Sequence, residues 1–515
     1  MMAGRKTSLW FFIVISWMLL MISGWAADWP MFAHDPMRTG WASEETSLSA
    51  QNVSRLELKW KVKVDNEPKY LSALTAPVVA ADIDTSEGTR TLVYVAGISN
   101  SFYALDSANG AVVWSRKFES RLTTTGGAYQ NTFLCPNGIT ATPAIDRGTR
   151  TVYVIGKDGR LYGLDLATGQ DKFPPITFVA PFSKDWSLNL VDGIVYTSLS
   201  QGCGDGTSGF YSIDVSNPHH PLVRRLLLSS TDSAGIWGRG GPVVGANHRI
   251  YGFTADGIFD PPAGEFSSSV VAAHLPELEL ADYFAPGDWQ QITKKDLDMG
   301  SASPVWFTYK NFNLLAGGGK QGLVYLMDGD SLGGKDHQSP LFVTPLLGND
   351  DQSFNEKGIW GALSYWRDES GESWIYVPIW GPVSKMAPKF PLTNGPNPHG
   401  SIMAFKVATD PASKKPILQP AWVSGDFDLP DPVIVANGVV FALSTGENAN
   451  QLKDRLADTK PAVLYALDAK TGRELYNSGS AITGWVHFSG LALADGNVYA
   501  VDHDSRVYCF GLRRK

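Results

Sequence analysis

An internal repeat constrains the fold of this chain more than any other feature of its sequence. Three stretches share a strand, an Asp-containing turn and a second strand: VYVAGISNSFYALDSANG (93–110), VYVIGKDGRLYGLDLATG (152–169) and VLYALDAKTG (463–472). In each copy a Gly follows the Asp by four residues and an aromatic residue follows it by eight. Since stacked repeats share one continuous core, we expect a single large domain rather than the about three that length alone would suggest.

Weaker copies of the repeat extend along most of the chain. They are separated by short apolar segments that end in small residues and often Pro, such as LTAPVVA, ITATPAID and SASPVWF. Each unit reads as four short strands, which is typical of a propeller blade. Eight units can be counted, and the last, 489–512, lacks an outer strand. The alternating segment 55–64, RLELKWKVKV, is available to supply that strand and close the ring. The prediction is an all-β, eight-bladed β-propeller of four-stranded antiparallel blades, closed by an N-terminal strand.

The conserved spacing within the repeats has a physical reason in the turns. Asp106, Asp165 and Asp468 are expected to accept hydrogen bonds from turn amides, and the following Gly to take a left-handed conformation. Gly159 and Gly322 fit the tight hairpins that precede these turns. The GGGK at 317–320 falls in the same register and lacks the spacing of a nucleotide-phosphate loop. We therefore interpret it as a hairpin turn.

The first 26 residues have the pattern of a secretory signal. Two basic residues precede an apolar run, and Gly24-Trp25-Ala26 supplies small residues at a cleavage site. An uncleaved membrane anchor is the alternative, but the run is short for a span of about 20 residues. We expect a periplasmic or secreted protein with a signal peptide at 1–26, an N-terminal segment at 27–54 and one propeller at 55–512. The formal charge of −8 argues against nucleic acid as the main partner, and no membrane span is expected after cleavage.

The three cysteines allow one disulfide. Cys135 and Cys203 lie in loop-like sequence one repeat apart and could be bridged in an oxidising compartment, whereas Cys509 lies in an alternating strand pattern that predicts a buried thiol. The sequence leaves the pairing open. It contains no C-x-x-C-H motif for covalent haem and no zinc-type cysteine pair.

The repeats resemble the tryptophan-docking repeats of quinoprotein dehydrogenase-like propellers, a superfamily that includes PQQ-dependent alcohol dehydrogenases and the propeller lipoprotein of the outer-membrane β-barrel assembly machinery. ALDSANGAVVW is similar to the docking consensus, and DWPMFAHDPMRTGWASEE (28–45) is similar to a segment that often precedes exported propellers. The resemblance covers about residues 28–512. It implies a fold, and for the enzymes of the superfamily it implies PQQ and Ca²⁺ on the propeller axis. The adjacent cysteine pair common beside PQQ in those enzymes is absent here, and no motif places the metal ligands.

Residues near the starts of inner strands are expected to point toward the axis and are the candidate site. As cofactor-binding residues we predict Trp237, Arg239, Trp360 and Trp485, and as catalytic residues Asp298, Asp431 and His487. Trp faces stack on planar ligands, Arg binds a carboxylate or quinone oxygen, and Asp or His can act as a base. The alternative is that these side chains only fill the mouth of a wide propeller.

Two functions of different classes follow from these observations. The first is a PQQ-dependent oxidoreductase acting on an alcohol or sugar-like hydroxyl, with PQQ and Ca²⁺ as cofactors and a small-molecule ligand. The second is a cofactor-free periplasmic propeller that binds a protein or polymer partner on its loop face. Long segments at 256–300, 329–358 and 380–400 are compatible with either function.

Overall fold

The described part of the chain is an eight-bladed β-propeller. The computed structural model describes residues 28–123, 132–448 and 456–513. Within them, eight mainly antiparallel sheets each supply one blade, which confirms the predicted fold class. The predicted signal peptide lies outside the described residues. The helices that the structure describes are short, and none could span a bilayer.

Each blade is built from four strands, named a to d from the axis outward. Blade 1 comprises Val78–Thr85, Gly88–Gly97, Ser101–Asp106 and Val112–Lys117, and blade 2 comprises Ala144–Asp146, Thr151–Ile155, Arg160–Asp165 and Ile176–Thr177. Blade 3 comprises Lys184–Asp185 with Asn189–Val191 as the a strand, then Ile194–Ser200, Gly209–Asp214 and Leu222–Leu227. Blade 4 comprises Val243–Gly245, Arg249–Phe253, Val270–His274 and Glu279–Phe284. Blade 5 comprises Val305–Tyr309, Phe312–Gly318, Val324–Asp328 and Phe342–Val343.

The remaining blades follow the same plan with one addition. Blade 6 comprises Gly358–Ile359 with Ser364–Arg367 as the a strand, Ser373–Trp380, Gly400–Thr409 and Pro416–Val423, and the short parallel strand Leu392–Thr393 covers its outer edge. Blade 7 comprises Ile434–Ala436, Val439–Ser444, Val463–Asp468 and Glu474–Asn477, and blade 8 Ala492–Ala494, Asn497–Val501, Arg506–Leu512 and Leu56–Lys63. Outside the blades lie the strand pairs Phe259–Asp260 with Glu265–Phe266 and Ala302–Ser303 with Gly361–Ala362, the α-helix Trp289–Lys294, and the 3₁₀ turns Val53–Arg55, Cys203–Asp205, Pro261–Ala263, Met299–Ser301 and Gly334–Asp336.

The N-terminal strand closes the ring as predicted. Leu56–Lys63 pairs antiparallel with Arg506–Leu512, with Trp60 opposite Cys509 and Lys61 opposite Tyr508. Trp60 is buried while Lys61 is exposed, as the alternating sequence requires of an outer strand with one face on the core. The pairing covers an edge that would otherwise remain open in blade 8.

Tryptophan docking between neighbouring blades explains the repeat. A Trp on a d strand lies against the Gly of the Asp turn in the next blade, and its indole N–H donates to a main-chain carbonyl of that turn at 2.8–2.9 Å. The three pairs are Trp60–Gly110, Trp114–Gly169 and Trp422–Gly472. These glycines have φ of 68–75°, and each turn Asp accepts a main-chain amide through its side chain. Both expectations for the turns are therefore confirmed.

The N-terminal segment contacts every blade. Its main chain forms hydrogen bonds with the a strands of six blades, in chain order, at Val79, Ile145, Val244, Trp306, Tyr365 and Val435. The buried guanidinium of Arg38 donates to Ser187 and Leu188 beside blade 3, and Glu45 accepts the amide of Gly496 in blade 8. Phe32 packs with Ala76, just before blade 1, and with Ala362, just before the strand Ser364–Arg367 of blade 6.

Candidate functional site

A cavity of about 550 Å³ lies where the segments leading into the inner strands converge. This is the usual size of a small-molecule site. Its wall includes four aromatic side chains (Trp186, Trp237, Trp360 and Phe488), three basic ones (Lys184, Arg239 and Lys320) and the acidic Asp232, Asp256, Asp296 and Asp298. These residues come from several blades because each a strand begins at the same end of the propeller.

The aromatic part of the wall is a single packed cluster. Trp360 stacks on Trp380 with ring centroids 4.6 Å apart and planes 10° apart, and Trp237 meets Trp360 edge to face at 5.4 Å. Trp186 and Phe488 belong to the same buried cluster. Lys320 Nζ lies 5.4 Å from the ring centroid of Trp237 and 5.5 Å from that of Trp360. Indole faces in this wall are thus already arranged around a positive charge.

Three carboxylates and one lysine form the polar centre of the cavity. The ligand atoms of Asp256, Asp296 and Asp298 lie within 4.8 Å of one another. Lys320 Nζ is 2.7 Å from a carboxylate oxygen of Asp296 and 2.7 Å from one of Asp298, and the Asp256 amide donates to Asp298. Burial, followed by the charge of Asp298, raises the pKa of Asp256 to about 6 and that of Asp296 to about 7.

One lysine cannot neutralise three carboxylates, so the centre holds an excess of negative charge when all are ionised. Carboxylate oxygens are the ligands that hard divalent cations such as Ca²⁺ take. The residues that could hold a metal ion are therefore Asp256, Asp296 and Asp298.

Arg239 and Lys184 make another part of the wall positive. The Arg239 guanidinium is buried; its Nη1 donates to the Thr140 carbonyl at 3.2 Å, while its Nε has no hydrogen-bond partner among the described residues. Burial lowers the pKa of Arg239 to about 10, and burial together with Arg239 lowers that of Lys184 to about 7. The nearby Asp185 accepts the Thr140 hydroxyl at 2.7 Å, and burial raises its pKa to about 7.

His487 is held in the wall by a buried acid. Its Nδ1 lies 2.8 Å from Glu447 Oε2, and its ring packs on Phe488 with centroids 4.2 Å apart. A carboxylate beside Nδ1 fixes the orientation of the imidazole ring. The pair has the geometry of an oriented general base.

The structure brings five of the seven predicted site residues to this cavity. They are Trp237, Arg239, Asp298, Trp360 and His487. Trp485 instead stacks on His503 at 4.3 Å, and Asp431 is buried behind the wall, where it accepts the Gly490 amide. Burial raises the pKa of Asp431 to about 7. Asp431 is coupled electrostatically to Arg239, so it can affect the cavity without lining it.

Sequence reasoning missed much of the wall, including Lys184, Trp186, Asp256, Asp296 and Lys320. Lys320 is the last residue of GGGK, which does form a turn, with Gly322 at φ 83°. The turn interpretation was correct for the backbone and silent about the side chain. The spacing Asp296-x-Asp298, two residues apart in a long inter-strand segment, was the available signal for the acidic centre.

A disulfide braces the same wall. Cys135 and Cys203 are bonded, with Cα atoms 5.5 Å apart, and Cys509 is a buried free thiol. Leu134 and Gln201, close to the two cysteines in the chain, both line the cavity. The bond therefore ties the segment entering blade 2 to the loop that follows the b strand of blade 3.

Comparisons with known proteins agree with the fold. A family model described as outer membrane protein assembly factor BamB matches residues 34–216. A europium-containing methanol dehydrogenase superposes with a TM-score of 0.60 at 13% identity, covering 94% of this chain and 98% of that chain. The quinohemoprotein alcohol dehydrogenase ADHIIG from Pseudomonas putida HK5 has a TM-score of 0.57 at 15% identity, covering 95% of this chain and 81% of that one.

A second quinohemoprotein alcohol dehydrogenase, from Comamonas testosteroni, has a TM-score of 0.54 at 15% identity, with 95% of this chain and 81% of that chain covered. No curated protein sequence matches the chain. At these identities the likeness is one of fold. It confirms the resemblance to quinoprotein dehydrogenase-like propellers that the repeats indicated.

Proposed function

We propose that this protein is a PQQ-dependent oxidoreductase that acts on an alcohol or a sugar-like hydroxyl group. The observation that carries the proposal is the axial cavity, in which indole faces, buried cations and a cluster of carboxylates meet. A packed channel mouth needs none of these charges, because burying them without full pairing is costly. Their convergence at one cavity supports a ligand site.

The wall fits a flat, polycarboxylated quinone in its chemistry. Trp237 and Trp360 offer indole surface, and Arg239 offers a buried guanidinium whose Nε lacks an acceptor among the described residues. Charge-assisted hydrogen bonds from guanidinium to carboxylate are among the stronger contacts available in proteins. These three residues would hold PQQ, which when bound supplies a hydride acceptor that no side chain can replace.

The acidic centre fits Ca²⁺ or a similar hard cation. Asp256, Asp296 and Asp298 supply oxygen ligands on one side of the cavity, and Lys320 compensates only part of their charge. A divalent ion would relieve the repulsion that, with burial, raises the pKa of Asp256 and Asp296. We assign these three carboxylates to the metal.

His487 is the residue we propose as the base toward the substrate hydroxyl. The contact between Nδ1 and Glu447 orients the imidazole ring at the wall of the cavity, where a substrate hydroxyl would lie. Asp298, held by Lys320 and the Asp256 amide, is better placed to position the acidic centre than to exchange protons. Asp431 would act only through its field on Arg239.

The alternative is a cofactor-free propeller that binds a protein or a polymer. It is favoured by the match of residues 34–216 to the model for an outer membrane protein assembly factor and by the absence of an adjacent cysteine pair beside the site. In either case the signal-like N-terminus supports a location in the periplasm or outside the cell.

Calorimetry with PQQ in the presence of Ca²⁺ distinguishes the two functions. We expect wild-type protein to bind PQQ, and Arg239→Ala to weaken binding by about 1.5–3 kcal/mol, the scale of a hydrogen bond to a charged group. Arg225→Ala, on the exposed outer strand of blade 3, is the matched control and should bind like wild type. Dye-linked oxidation of a panel of alcohols then tests activity, which His487→Gln should lower without loss of PQQ binding. Absence of PQQ binding to the Ca²⁺-loaded wild type would refute the enzyme and leave the scaffold.

A further inference from the structure

Lys184 is a lysine that the proposed oxidoreductase does not use. It lines the cavity, and it lies on the two-residue strand Lys184–Asp185 at the start of blade 3. Since successive side chains on a strand point to opposite faces, Asp185 turns away toward Thr140. No hydrogen bond or ion pair joins the Lys184 ammonium to any acceptor in the part of the chain that the structure describes.

Burial and a neighbouring cation act on Lys184 against one contact that favours its ammonium form. Its Nζ lies 5.2 Å from the ring centroid of the buried Trp186, in a cation–π contact. The charged neighbour that acts on it is Arg239, whose positive charge repels an ammonium group. Burial and Arg239 together lower the pKa of Lys184 to about 7. An amine that is desolvated beside another cation is a nucleophile near neutral pH.

We propose that Lys184 is a covalent binding site for a carbonyl compound, an aldehyde or ketone that also carries a carboxylate. The nitrogen lone pair forms a C–N bond with the carbonyl carbon, and the carbonyl oxygen leaves as water with the two protons of the neutral amine. The product is an imine, and the step needs no oxidant or reductant. The carboxylate would bind Arg239, whose buried Nε lacks an acceptor among the described residues.

The proposal goes beyond the oxidoreductase and does not depend on PQQ; because both ligands would bind Arg239 in one cavity, they would compete for it. A lysine that only compensates charge in this cavity would be expected to pair with an acid, as Lys320 pairs with Asp296 and Asp298. The two lysines of one cavity thus differ in a way that points to different tasks. Lys320 compensates charge, whereas Lys184 is presented to the cavity without an acid.

Reductive trapping tests the site without any assay of activity. The whole protein is incubated with glyoxylate and sodium cyanoborohydride, digested, and the labelled lysines are identified by mass spectrometry. We expect Lys184 to be labelled about tenfold or more faster at pH 7 than the exposed Lys335, because an ordinary lysine titrates near about 10.4. The rate at Lys184 should reach half its maximum near pH 7. Labelling of Lys184 no faster than that of Lys335 in the wild type would overturn the proposal.

Two variants and one further probe complete the test. Lys184→Arg keeps a long basic side chain but cannot form the imine, so it should lose the rapid label, whereas Lys335→Arg should retain it. Propionaldehyde, which has no carboxylate, should label Lys184 about tenfold more slowly than glyoxylate once each rate is divided by that at Lys335. Arg239→Gln should abolish this preference. An unchanged preference in that variant, or none in the wild type, would overturn the assignment of a carboxylate to Arg239.

Discussion

Replacing one glycine in the docking turn of blade 7 tests whether inter-blade tryptophan docking holds this propeller together. Gly472 has φ 71°, and a Cβ built on it would lie 2.3 Å from Cε3 of Trp422 and 2.7 Å from Cδ2. Trp422 is fully buried, and its indole N–H is fixed by the Ala469 carbonyl at 2.9 Å. The ring cannot move aside without losing that bond. Gly472→Ala therefore combines backbone strain with a collision.

Gly438 of the same blade supplies the matched control. It has φ 75°, and a Cβ built on it would meet no atom within 4 Å. Gly438→Ala should lower the free energy of unfolding by about 1–2 kcal/mol, the cost of a left-handed residue with a side chain. Gly472→Ala adds an overpacking cost of about 1–3 kcal/mol. Its total loss should be about 2–5 kcal/mol.

Urea unfolding followed by circular dichroism measures both losses, and a double-mutant cycle isolates the collision. Trp422→Ala removes the ring that Gly472→Ala meets, so these two substitutions should be non-additive by about 1–3 kcal/mol. Trp422→Ala and Gly438→Ala should be additive. Equal losses in the two glycine variants, within about 0.5 kcal/mol, would refute the docking argument and reduce the spacing of Asp and Gly to a requirement of the turn alone.

Three further outcomes follow from the structure. Cys203→Ser should lower the free energy of unfolding by about 2–4 kcal/mol, because the bond closes a sequence separation of 68 residues; dithiothreitol should lower the wild type equally, and equality of wild type and variant in oxidising buffer would contradict this. Trp60→Ala should lower the free energy of unfolding by about 3–5 kcal/mol in the same assay, since the ring both docks on blade 1 and belongs to the strand that closes blade 8. A decrease no larger than that of a substitution at an exposed residue would count against ring closure. In the folded chain the pKa of Asp256 is raised to about 6 and that of Asp296 to about 7, from the ordinary 3.8. Between pH 3.8 and these raised values the folded chain binds more protons than the unfolded chain, so the free energy of unfolding should fall as pH rises through that window. Ca²⁺ should reverse the fall, and Asp256→Asn combined with Asp296→Asn should flatten it.

The fold was predictable because its determinants are local and repeated. The spacing from Asp106 to Gly110 is typical of a tight turn, and the alternation of apolar and charged residues around Trp60 indicates a strand with one buried face. Cys135 and Cys203 could be proposed as a pair only because the repeat places both in loops of neighbouring units. Their bonding depends on loop paths that no local pattern specifies.

The site was less predictable because it depends on direction rather than on residue type. The rule that inner strands begin at one mouth placed Trp237 and His487 correctly at the cavity. It misplaced Trp485, which lies two residues from His487 yet stacks on His503. Lys320 was not predicted as a site residue because the repeat already explained its turn. That explanation covers the backbone and does not indicate where the Lys320 side chain points.

The N-terminal segment makes the eight blades depend on one another. The main-chain groups that bond to this segment lie on the innermost strands of the blades, from Val79 to Val435. Its hydrogen bonds can therefore all form only when the whole ring is assembled. An open array of repeats can unfold one unit at a time from its ends. Here, unfolding of any blade would remove hydrogen-bond or packing partners of the N-terminal segment, which all the other blades also contact. Amides held by this segment, such as those of Tyr365 and Val435, should therefore exchange with solvent only through global unfolding, and the propeller should melt as one cooperative unit.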